Sequence, residues 1–566
     1  MQSRESLIRR LRNRVASGTP VLIAGGGING IGLFRDLALQ GIPAILVEKG
    51  DFASGTTAAP SRLIHGGLRY LETGEFALVR ESVIERNHLL RNAPHLVQPL
   101  PVWVPAYSWL GGAMSAVLRF FKLTRTPGAK GILVVKLGLM FFDWFGKATQ
   151  VMPSHRIVPM AEARARWPGL SPKVTAVAEY YDARLTHPER LALDLIKDAE
   201  RDCPEAMALP YVSLAGLKDG KAELRDEETG ESFSITPSLV VNCAGAWADH
   251  VNRGLGIDQR LMGGTRGSHL VMRRPDIARQ LGNGMFYFET HDFRACLVYA
   301  LDSELIILGA TDIRDENPDM VRCSDAEIDY LFGVLEEVLP GSKAKRDEIV
   351  FAYAGIRPLP WSGEGATGAI SRDHALRDFE AEGARPFPVL TLVGGKWTTY
   401  RACAEQIADA VLSRLGKKRS RSTLDAVIGG SASLPGDETG RAALAASIAR
   451  SAKLDAARAA TLLKRYGTTA EAVAATISAE GTRPLAGSAY LESEIRWIIR
   501  NERVTRLADI VLRRTLIPFE GTATPGLIAA IAAVAAEELG WDTARAKSEV
   551  QAVTDHLVQR NRVQGL

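Results

Sequence analysis

The sequence predicts an α/β fold, in which a nucleotide-binding domain is joined to a mixed α+β region and a helical C-terminal domain. Residues 21–48 contain an apolar run, a glycine-rich turn, a stretch that suits a helix and a second apolar run, which is the order of a parallel βαβ unit. From about Gly440 onward, alanine-rich segments have helical periodicity. The 566 residues exceed one hydrophobic core, so two or three domains are expected.

The glycine-rich turn follows Val21–Ala24, an apolar run that suits a buried parallel strand. Gly25, Gly27 and Gly30 occupy the glycine positions of the G-x-G-x-x-G pattern. The first glycine permits a tight turn, the second lets a pyrophosphate approach the backbone, and the third allows the helix to pack closely on the strand. The pattern therefore predicts a Rossmann-like dinucleotide-binding unit.

A helix and a second strand complete this unit. Residues 31–39 suit a helix that ends at Gly41, and residues 44–47 suit a strand that ends at Glu48. The N–H groups at the start of the helix would bind phosphates, and the Glu48 carboxylate would accept a hydrogen bond from a ribose hydroxyl. The unit alone allows FAD or NAD, because both carry an adenosine ribose and a pyrophosphate.

The next segment favours FAD, because residues 49–57 form a Gly/Ser/Thr-containing stretch typical of a loop over a buried cofactor. From here the whole chain resembles the FAD-dependent (aerobic, respiratory) glycerol-3-phosphate dehydrogenases. The motifs that carry the resemblance occur in matching order: HGGLRYLE at 65–72, NCAGAW at 242–247, RGSH at 266–269, LGATD at 308–312, GIRPL at 355–359, GGKWTTYR at 394–401, LPG at 434–436, RYGT at 465–468 and LRRT at 512–515.

The resemblance implies FAD as the cofactor and a flavin domain like those of glutathione reductase and D-amino-acid oxidase. The predicted cofactor-binding residues are Gly25, Gly27, Asn29, Gly30, Glu48, Lys49, Thr56, Thr57, His65, Gly66, Gly67, Ala244, Gly245, Gly395, Lys396, Trp397 and Thr398. The residues on the family's substrate-site positions are Arg69, Tyr70, His269, Arg357 and Lys396.

These substrate residues suit a phosphorylated alcohol. Oxidation of a secondary alcohol needs a hydride acceptor and removal of the hydroxyl proton, and a phosphate group needs fixed cations. Arg69, Arg357 and Lys396 are the candidate cations, and we assign catalytic roles to His269, Arg357 and Lys396. His269 is the preferred proton acceptor, with His65 orienting the flavin loop; Lys396 or a water molecule is the alternative.

The resemblance implies oxidation of sn-glycerol 3-phosphate to dihydroxyacetone phosphate, with a quinone as the electron acceptor. The alternatives are another polyol phosphate such as erythritol phosphate, or an oxygen-using glycerol-phosphate oxidase. A non-catalytic flavoprotein would not need Arg69, His269, Arg357 and Lys396 together. An FAD-dependent amine or amino-acid oxidase shares the opening motif, but two arginines and a lysine suit a phosphate dianion better than a carboxylate.

One loop departs from the family pattern, which usually contains several hydroxyl residues and a lysine before the leucine and isoleucine that precede His65. This chain has Ala58, Ala59 and Pro60, and Arg62 replaces the lysine. Arginine is a planar fork and lysine a point charge, so contacts to flavin or substrate are expected to differ here. Because of this difference from the family pattern, a tetritol phosphate remains an alternative substrate.

The expected organisation is discontinuous. The flavin domain is predicted to use residues 18–103, 240–261 and 351–415, and the substrate-binding or cap region to use residues 104–239 and 262–350. Residues 416–566 are predicted to form the C-terminal helical domain. Within it, Arg496, Arg500, Arg503, Arg506, Arg513 and Arg514 suggest either a solvated basic face or a docking surface.

Residues 109–147 mix large apolar and aromatic side chains with lysines and arginines, a pattern that suits either helices in a bilayer interface or a hairpin packed on the flavin domain. No run is long enough to span a membrane, and no secretory signal is visible. The family resemblance implies peripheral attachment to the cytoplasmic face of the cytoplasmic membrane, and it allows a homodimer.

Charge and cysteine usage exclude other classes. A net charge of +4 is small for this length and argues against a nucleic-acid partner. The five cysteines contain no C-x-x-C pair, which favours a reducing compartment and predicts no metal site.

Overall fold

The computed structural model describes residues 4–17, 20–68, 75–109, 132–147, 151–290, 294–363, 367, 370 and 372–566. Within them the strands are β1 Val21–Ala24, β2 Ile45–Glu48, β3 Leu63–Ile64, β4 Val97–Ala106, β5 Arg156–Val158, β6 Ala176–Leu185, β7 Met207–Pro210, β8 Val212–Lys218, β9 Lys221–Asp226, β10 Ser232–Ile235, β11 Leu239–Asn242, β12 Met262–Arg273, β13 Met285–Glu289, β14 Ala295–Ala300, β15 Leu305–Gly309, β16 Ile313–Arg314, β17 Ile349–Pro360, β18 Ala375–Phe379 and β19 Val389–Val393. The helices are α1 Arg4–Ser17, α2 Ile28–Leu39, α3 Phe76–Asn92, α4 Ile132–Gly146, α5 Met160–Arg166, α6 Pro188–Asp202, α7 Ala248–Gly254, α8 Pro275–Leu281, α9 Asp325–Val338, α10 Tyr400–Arg414, α11 Glu438–Ala452, α12 Ala456–Tyr466, α13 Ala470–Glu480, α14 Glu492–Asn501, α15 Leu507–Asp509, α16 Pro525–Leu539 and α17 Thr543–Gln559.

A six-stranded sheet forms the centre of the nucleotide-binding part, in the order β18-β19-β11-β1-β2-β7. All neighbours are parallel except β18, which is antiparallel to β19. The inner strands are apolar and buried because elements cover both faces of the sheet. The predicted β1-α2-β2 unit is confirmed, although α2 begins at Ile28 rather than Ile31. The chain returns to this sheet twice after β2, as predicted, through strands β11 and β19.

A ten-stranded sheet stands beside it, in the order β16-β12-β15-β14-β13-β4-β6-β3, with β17 paired to β12 and β5 to β6. In the long antiparallel ladder of β12 and β17, His269 lies opposite Tyr353 and Thr265 opposite Arg357. Residues four apart on a strand face the same side of a sheet. The ladder therefore holds His269 and Arg357 on one face of two neighbouring strands.

The C-terminal helices α11–α14, α16 and α17 pack around one apolar core. This core continues into one face of the ten-stranded sheet, where Phe519 joins Phe351 and Tyr353 of β17. The C-terminal region is therefore packed against the strands that carry the substrate-site candidates.

The sheet topology differs from the predicted division of the chain in three places. Helix α6 packs on α2, and β7 pairs with β2, so part of the predicted cap region 104–239 lies on the nucleotide-binding sheet. Conversely, the ten-stranded sheet contains two strands from the predicted flavin segments. These are β4, which begins within segment 18–103, and β17, which lies mostly within segment 351–415. An apolar pattern identifies a strand but not the sheet that it joins.

The predicted interfacial segment 109–147 is described only in part, because residues 110–131 lie outside the described residues. Its C-terminal half forms α4, which buries Leu139 and Phe142 and leaves one side open. Leu133, Leu137, Met140 and Trp144 follow each other at helical spacing on that side, with exposed fractions of 49%, 56%, 54% and 66%. Among the described residues, no helix combines the length and the apolar content that a bilayer crossing requires.

Candidate active site

The glycine turn between β1 and α2 is built as the sequence predicts. Gly25 has a φ of +111°, and a Cβ there would lie 2.6 Å from the carbonyl oxygen of Cys243. A Cβ on Gly30 would lie 2.0 Å from the carbonyl oxygen of Gly25. Only glycine fits these two positions, and Gly27, the N-cap of α2, brings no side chain to the helix N-terminus.

Glu48 closes the turn at the end of β2. Its Oε2 accepts a hydrogen bond from the N–H of Gly26 at 2.7 Å, and its Oε1 accepts one from Gly50 at 2.9 Å. Burial raises the pKa of Glu48, although both N–H groups oppose that effect. Each oxygen retains a second lone pair, so the carboxylate can also accept a hydrogen bond from a ribose hydroxyl.

Hydrogen bonds join the other predicted cofactor segments at the start of α2. The Thr57 hydroxyl accepts from the N–H of Ile28 at 3.0 Å, and the Thr57 carbonyl accepts from Nε1 of Trp397 at 3.1 Å. The N–H of His65 donates to the Thr398 hydroxyl at 3.2 Å. The loop after β2 and the loop after β19 therefore meet beside the glycine turn.

Further contacts tie the loop after β2 to the ten-stranded sheet. The Thr56 hydroxyl donates to the carbonyl of Ile356 at 2.6 Å. The N–H of Gly66, next to the positive-φ residue Gly67, donates to Asp182 at 2.9 Å. Asp182 is buried and also accepts from Arg86 at 2.8 Å. The buried Arg86–Asp182 ion pair therefore anchors the backbone at Gly66, one of the predicted cofactor-binding residues.

Ala244 and Lys49 differ in their relation to the turn. A Cβ on Gly25 would lie 2.9 Å from the Cα of Ala244, so the Ala244–Gly245 backbone adjoins the turn. The ammonium of Lys49 instead pairs with Asp319 at 3.1 Å and lies 4.4 Å from the ring centroid of Trp247. The Lys49 side chain is thus engaged on the surface of the domain.

The residues around the turn fit a bound dinucleotide. Oδ1 of Asn29 is buried and has no hydrogen-bond partner among the described residues. The amide of Asn29 adjoins Gly395, since a Cβ on that glycine would lie 2.6 Å from Nδ2 of Asn29. A buried open acceptor, a helix N-terminus and the Glu48 carboxylate match the polar groups of FAD.

His269 is the most constrained of the substrate-site candidates. Its Nε2 lies 2.7 Å from the Ser61 hydroxyl, and its ring stacks on Tyr353 with centroids 4.9 Å apart. Its Nδ1 is buried and lacks a hydrogen-bond partner among the described residues. Burial and the nearby Arg357 cation lower the pKa of His269 to about 3, so the ring is neutral at physiological pH.

Arg357 is held by the loop that follows β15. Its Nη1 donates to Asp312 at 3.0 Å, and its Nη2 donates to the carbonyl of Thr311 at 3.1 Å. The other Asp312 oxygen lies 3.5 Å from Nη2 of Arg372. Burial would raise the pKa of Asp312, but the two arginines and threonine hydroxyls lower it overall. Asp312 thus bridges two guanidinium groups.

Lys396 lies in the same electrostatic environment. Burial lowers the pKa of Lys396 to about 8, and Arg372 lowers it further, whereas Glu75, Asp373 and Glu81 oppose the shift. Lys396 and Arg372 also lower the pKa of His65, whose burial has the same effect. Lys396, Arg372 and His65 therefore act on one another electrostatically.

Two candidate residues were missed by the sequence analysis. Arg372 precedes β18 in a short polar segment, and the arginine itself was the available signal. Ser61 contacts His269 but is distant from it in the sequence, so no local pattern indicated the pair. The predicted substrate residues Arg69 and Tyr70 lie outside the described residues.

The altered loop at Ala58–Arg62 does not direct its arginine to this cluster. The guanidinium of Arg62 is buried, donates to the carbonyl of Thr186 at 2.5 Å and lies 3.6 Å from the ring centroid of Phe519. The Arg62 side chain therefore contacts the C-terminal region, and the expected difference in flavin or substrate contacts at this loop stays a prediction.

Comparisons with known proteins identify the family of the chain. Residues 20–409 match the family model "FAD dependent oxidoreductase", and residues 427–546 match "C-terminal domain of alpha-glycerophosphate oxidase". A glycerol-3-phosphate dehydrogenase of Synechocystis is 31% identical, over 95% of this chain and 96% of that protein. A D-erythritol 1-phosphate dehydrogenase of Brucella abortus is 30% identical, over 88% of this chain and 93% of that protein.

A solved structure extends the likeness to the whole fold. The glycerol-3-phosphate dehydrogenase of Bacillus halodurans, complexed with FAD, matches with a TM-score of 0.76 and 21% identity, over 99% of this chain and 98% of that chain. The glycine turn, the cation cluster and the two family models lead to one assignment. The chain belongs to the FAD-dependent glycerol-3-phosphate dehydrogenase family and is an oxidoreductase with FAD as its cofactor.

Proposed function

We propose that the protein oxidises sn-glycerol 3-phosphate to dihydroxyacetone phosphate and passes the electrons to a membrane quinone. The observation that carries the substrate is a set of three cations: Arg357 and Arg372 share Asp312, and Arg372 acts electrostatically on Lys396. Three cations suit a phosphate dianion and exceed what a single carboxylate needs. FAD, held at the glycine turn, supplies the hydride acceptor.

Arg357 and Arg372 would bind the phosphate as two forks whose separation is set by Asp312. The Asp312 carboxylate contacts both guanidinium groups and so holds them at a fixed separation. Because the orientation is fixed before the substrate arrives, little side-chain entropy is lost on binding. Lys396 adds a charge that does not depend on a fixed hydrogen-bond geometry.

His269 would take the hydroxyl proton at Nδ1. In the tautomer whose Nε2–H donates to the Ser61 hydroxyl, Nδ1 is an unprotonated acceptor. The low pKa of the free site arises from burial and from Arg357, and a bound phosphate dianion would offset the arginine charge. Substrate binding would therefore raise the basicity of His269 when it is needed.

A tetritol phosphate is the second candidate substrate. The likeness to the Brucella erythritol-phosphate enzyme and the loss of hydroxyls at Ala58–Pro60 favour it. Ala59 lies against the strand that carries Arg357, because a Cβ on Gly355 would be 2.8 Å from the Ala59 Cβ. Small side chains here would leave room for a longer polyol.

Anaerobic flavin reduction distinguishes the two substrates. The FAD-loaded protein is mixed with sn-glycerol 3-phosphate or with D-erythritol 1-phosphate, and the loss of flavin absorbance is followed. We expect the higher rate divided by apparent Kd with glycerol 3-phosphate. A higher value with erythritol phosphate would assign the second substrate, and reduction by neither would reject the proposal. Reoxidation by a soluble quinone and by oxygen then separates dehydrogenase from oxidase.

The open side of α4 supports peripheral attachment to the cytoplasmic membrane. The apolar stripe Leu133, Leu137, Met140 and Trp144 is flanked by the exposed lysines Lys136 and Lys147. Apolar side chains flanked by cations suit the interface of an anionic bilayer. Phe142, on the buried side of α4, packs against Gly66, a predicted cofactor-binding residue. Helix α4 therefore contacts the flavin site on one side and carries the apolar stripe on the other.

A further inference from the structure

The ring of Phe519, from the C-terminal region, lies behind the candidate base. Its centroid is 5.2 Å from that of Tyr353 and 4.7 Å from that of Phe351. The guanidinium of Arg62 lies 3.6 Å from the same ring. Phe519 is itself buried. One side chain of the C-terminal region thus contacts two different elements of the redox part of the molecule.

Strand β17 and the loop at Ser61–Arg62, the two elements that Phe519 contacts, both also contact His269. Tyr353 stacks on the imidazole at an interplanar angle of 8°. Arg62 directly follows Ser61, whose hydroxyl lies 2.7 Å from Nε2 of His269. Arg357 is the charged group that acts on the ring, and it comes from the same strand as Tyr353. The imidazole is therefore fixed by one stacking contact and one hydrogen bond.

The loop at Ser61 depends on these contacts for its shape. Arg62 has a φ of +54°, a conformation that is costly for a residue with a side chain. Its guanidinium is retained by the Thr186 carbonyl and by the face of Phe519, a cation–π geometry. Tyr353 and Tyr299 donate from their hydroxyls to the carbonyls of Pro60 and Ser61, both at 3.1 Å.

We infer that Phe519 is a positioning residue for His269: through Tyr353 and Arg62 the C-terminal region sets the orientation of the proton acceptor. The inference rests on the proposed role of His269. The ring of Phe519 contacts Phe351, Tyr353 and Arg62, so it acts on His269 through Tyr353 and Arg62. Small displacements of a reacting group cost large factors in rate, which is why a distant ring can matter.

The test uses the FAD-loaded protein and the variant Phe519→Leu, which keeps an apolar side chain and removes the ring. We expect the limiting rate of anaerobic flavin reduction by sn-glycerol 3-phosphate to fall about 10- to 100-fold. The apparent Kd of the substrate should stay within about twofold, because the ring contacts of Phe519 are with Phe351, Tyr353 and Arg62 and not with the proposed phosphate-binding cations Arg357, Arg372 and Lys396. Phe519→Tyr, which keeps the ring, should restore most of the rate.

Trp497→Leu is the matched control. Trp497 is a buried aromatic of the same C-terminal region, and its ring partners are Tyr466 and Lys197 rather than Tyr353 and Arg62. Equal reduction rates in Phe519→Leu and Trp497→Leu would overturn the inference. If Phe519→Leu does not fold, Arg62→Met removes the same contact from the other side, and an unchanged rate there also overturns it.

A second readout is independent of turnover. In protein labelled with 13C at histidine Cε1, the signal missing from His269→Asn identifies His269. We expect this signal to shift in Phe519→Leu and to stay in place in Trp497→Leu; an unmoved signal contradicts the inference. If His269→Asn itself reduces the flavin at the normal rate, the proposed base is wrong. A slow His269→Asn with a fast Phe519→Leu rejects the positioning role alone.

Discussion

At the scale of single residues, the candidate site depends on how Asp312 divides its two oxygens. One oxygen accepts from Arg357, and the other faces Arg372. The resulting pair of forks can bind a phosphate in one orientation, whereas lysines at the same places would bind it as point charges. Substitutions that keep the charge but remove the fork therefore separate geometry from electrostatics.

Arg357→Lys is expected to raise KM and to lower kcat/KM about 10- to 100-fold, because charge-assisted hydrogen bonds of a few kcal/mol are lost. Steady-state kinetics with a quinone analogue measures this effect, and the bound FAD should be unchanged. Arg273→Lys is the control, since Arg273 lies on β12 but pairs with Glu304 at the surface, at 2.7 Å. Near-wild-type kinetics of Arg357→Lys would remove Arg357 from the substrate site.

The pKa of about 8 at Lys396 predicts a pH dependence of binding. Below pH 8 the side chain is mostly a cation, and its attraction for the phosphate is present; above pH 8 the neutral amine forms and the attraction is lost. The substrate phosphate is already ionised there, since its second pKa is near 6. KM should thus rise above pH 8, by up to about tenfold per pH unit.

Lys396→Arg provides the comparison, because arginine stays charged throughout this range. Its KM should remain flat between pH 7 and pH 9, whatever its absolute value. An equally steep rise of KM in Lys396→Arg would show that another group titrates.

At the scale of elements, α4 carries the membrane proposal. Trp144→Glu should weaken co-sedimentation with vesicles of anionic phospholipid at least about 30-fold, because burial of a large apolar side chain contributes about 2 kcal/mol. Met320→Glu is the control, since Met320 is 70% exposed but lies on a different element. Equal loss of binding in both variants would contradict a specific role of the stripe.

The sequence predicted elements where local chemistry is sufficient. Gly25, Gly30 and the apolar runs around them specify β1-α2-β2, because the steric need for glycine is local. The partner of a strand is not local. β7 joins β2, and β17 joins β12, through contacts that no apolar pattern identifies. For the same reason Ser61 and Arg372 were missed, whereas His269 and Arg357 were found through whole motifs.

At the scale of the whole molecule, buried ion pairs join the C-terminal region to the flavin part. Asp51, shortly after Glu48, is buried and accepts from both Arg513 and Arg514. Arg190 and Glu502 form a second buried pair at 2.5 Å. Of the six arginines considered as a basic face, Arg496 and Arg500 pair with glutamates of their own region, and Arg503 and Arg506 with Glu200 and Glu228. They do not form an unpaired docking surface.

Asp51→Asn should lower the free energy of unfolding by about 3–5 kcal/mol, because two buried guanidinium groups lose their counter-charge. Urea unfolding followed by tryptophan and flavin fluorescence measures this change. Glu537→Gln is the control: its pair with Arg496 is largely exposed and should cost under about 1 kcal/mol. Equal midpoints for the two variants would show that the Asp51 pairs do not join the two regions energetically.

The position of Asp51 also has a consequence for biosynthesis. The loop that begins at Asp51 is synthesised before its partners Arg513 and Arg514, which lie 462 and 463 residues later in the chain. Until then, Asp51 is a carboxylate without its counter-ions in a region that must become dry. The loop at Asp51 therefore gains its buried ion pairs only after the C-terminal region has been synthesised and packs against it.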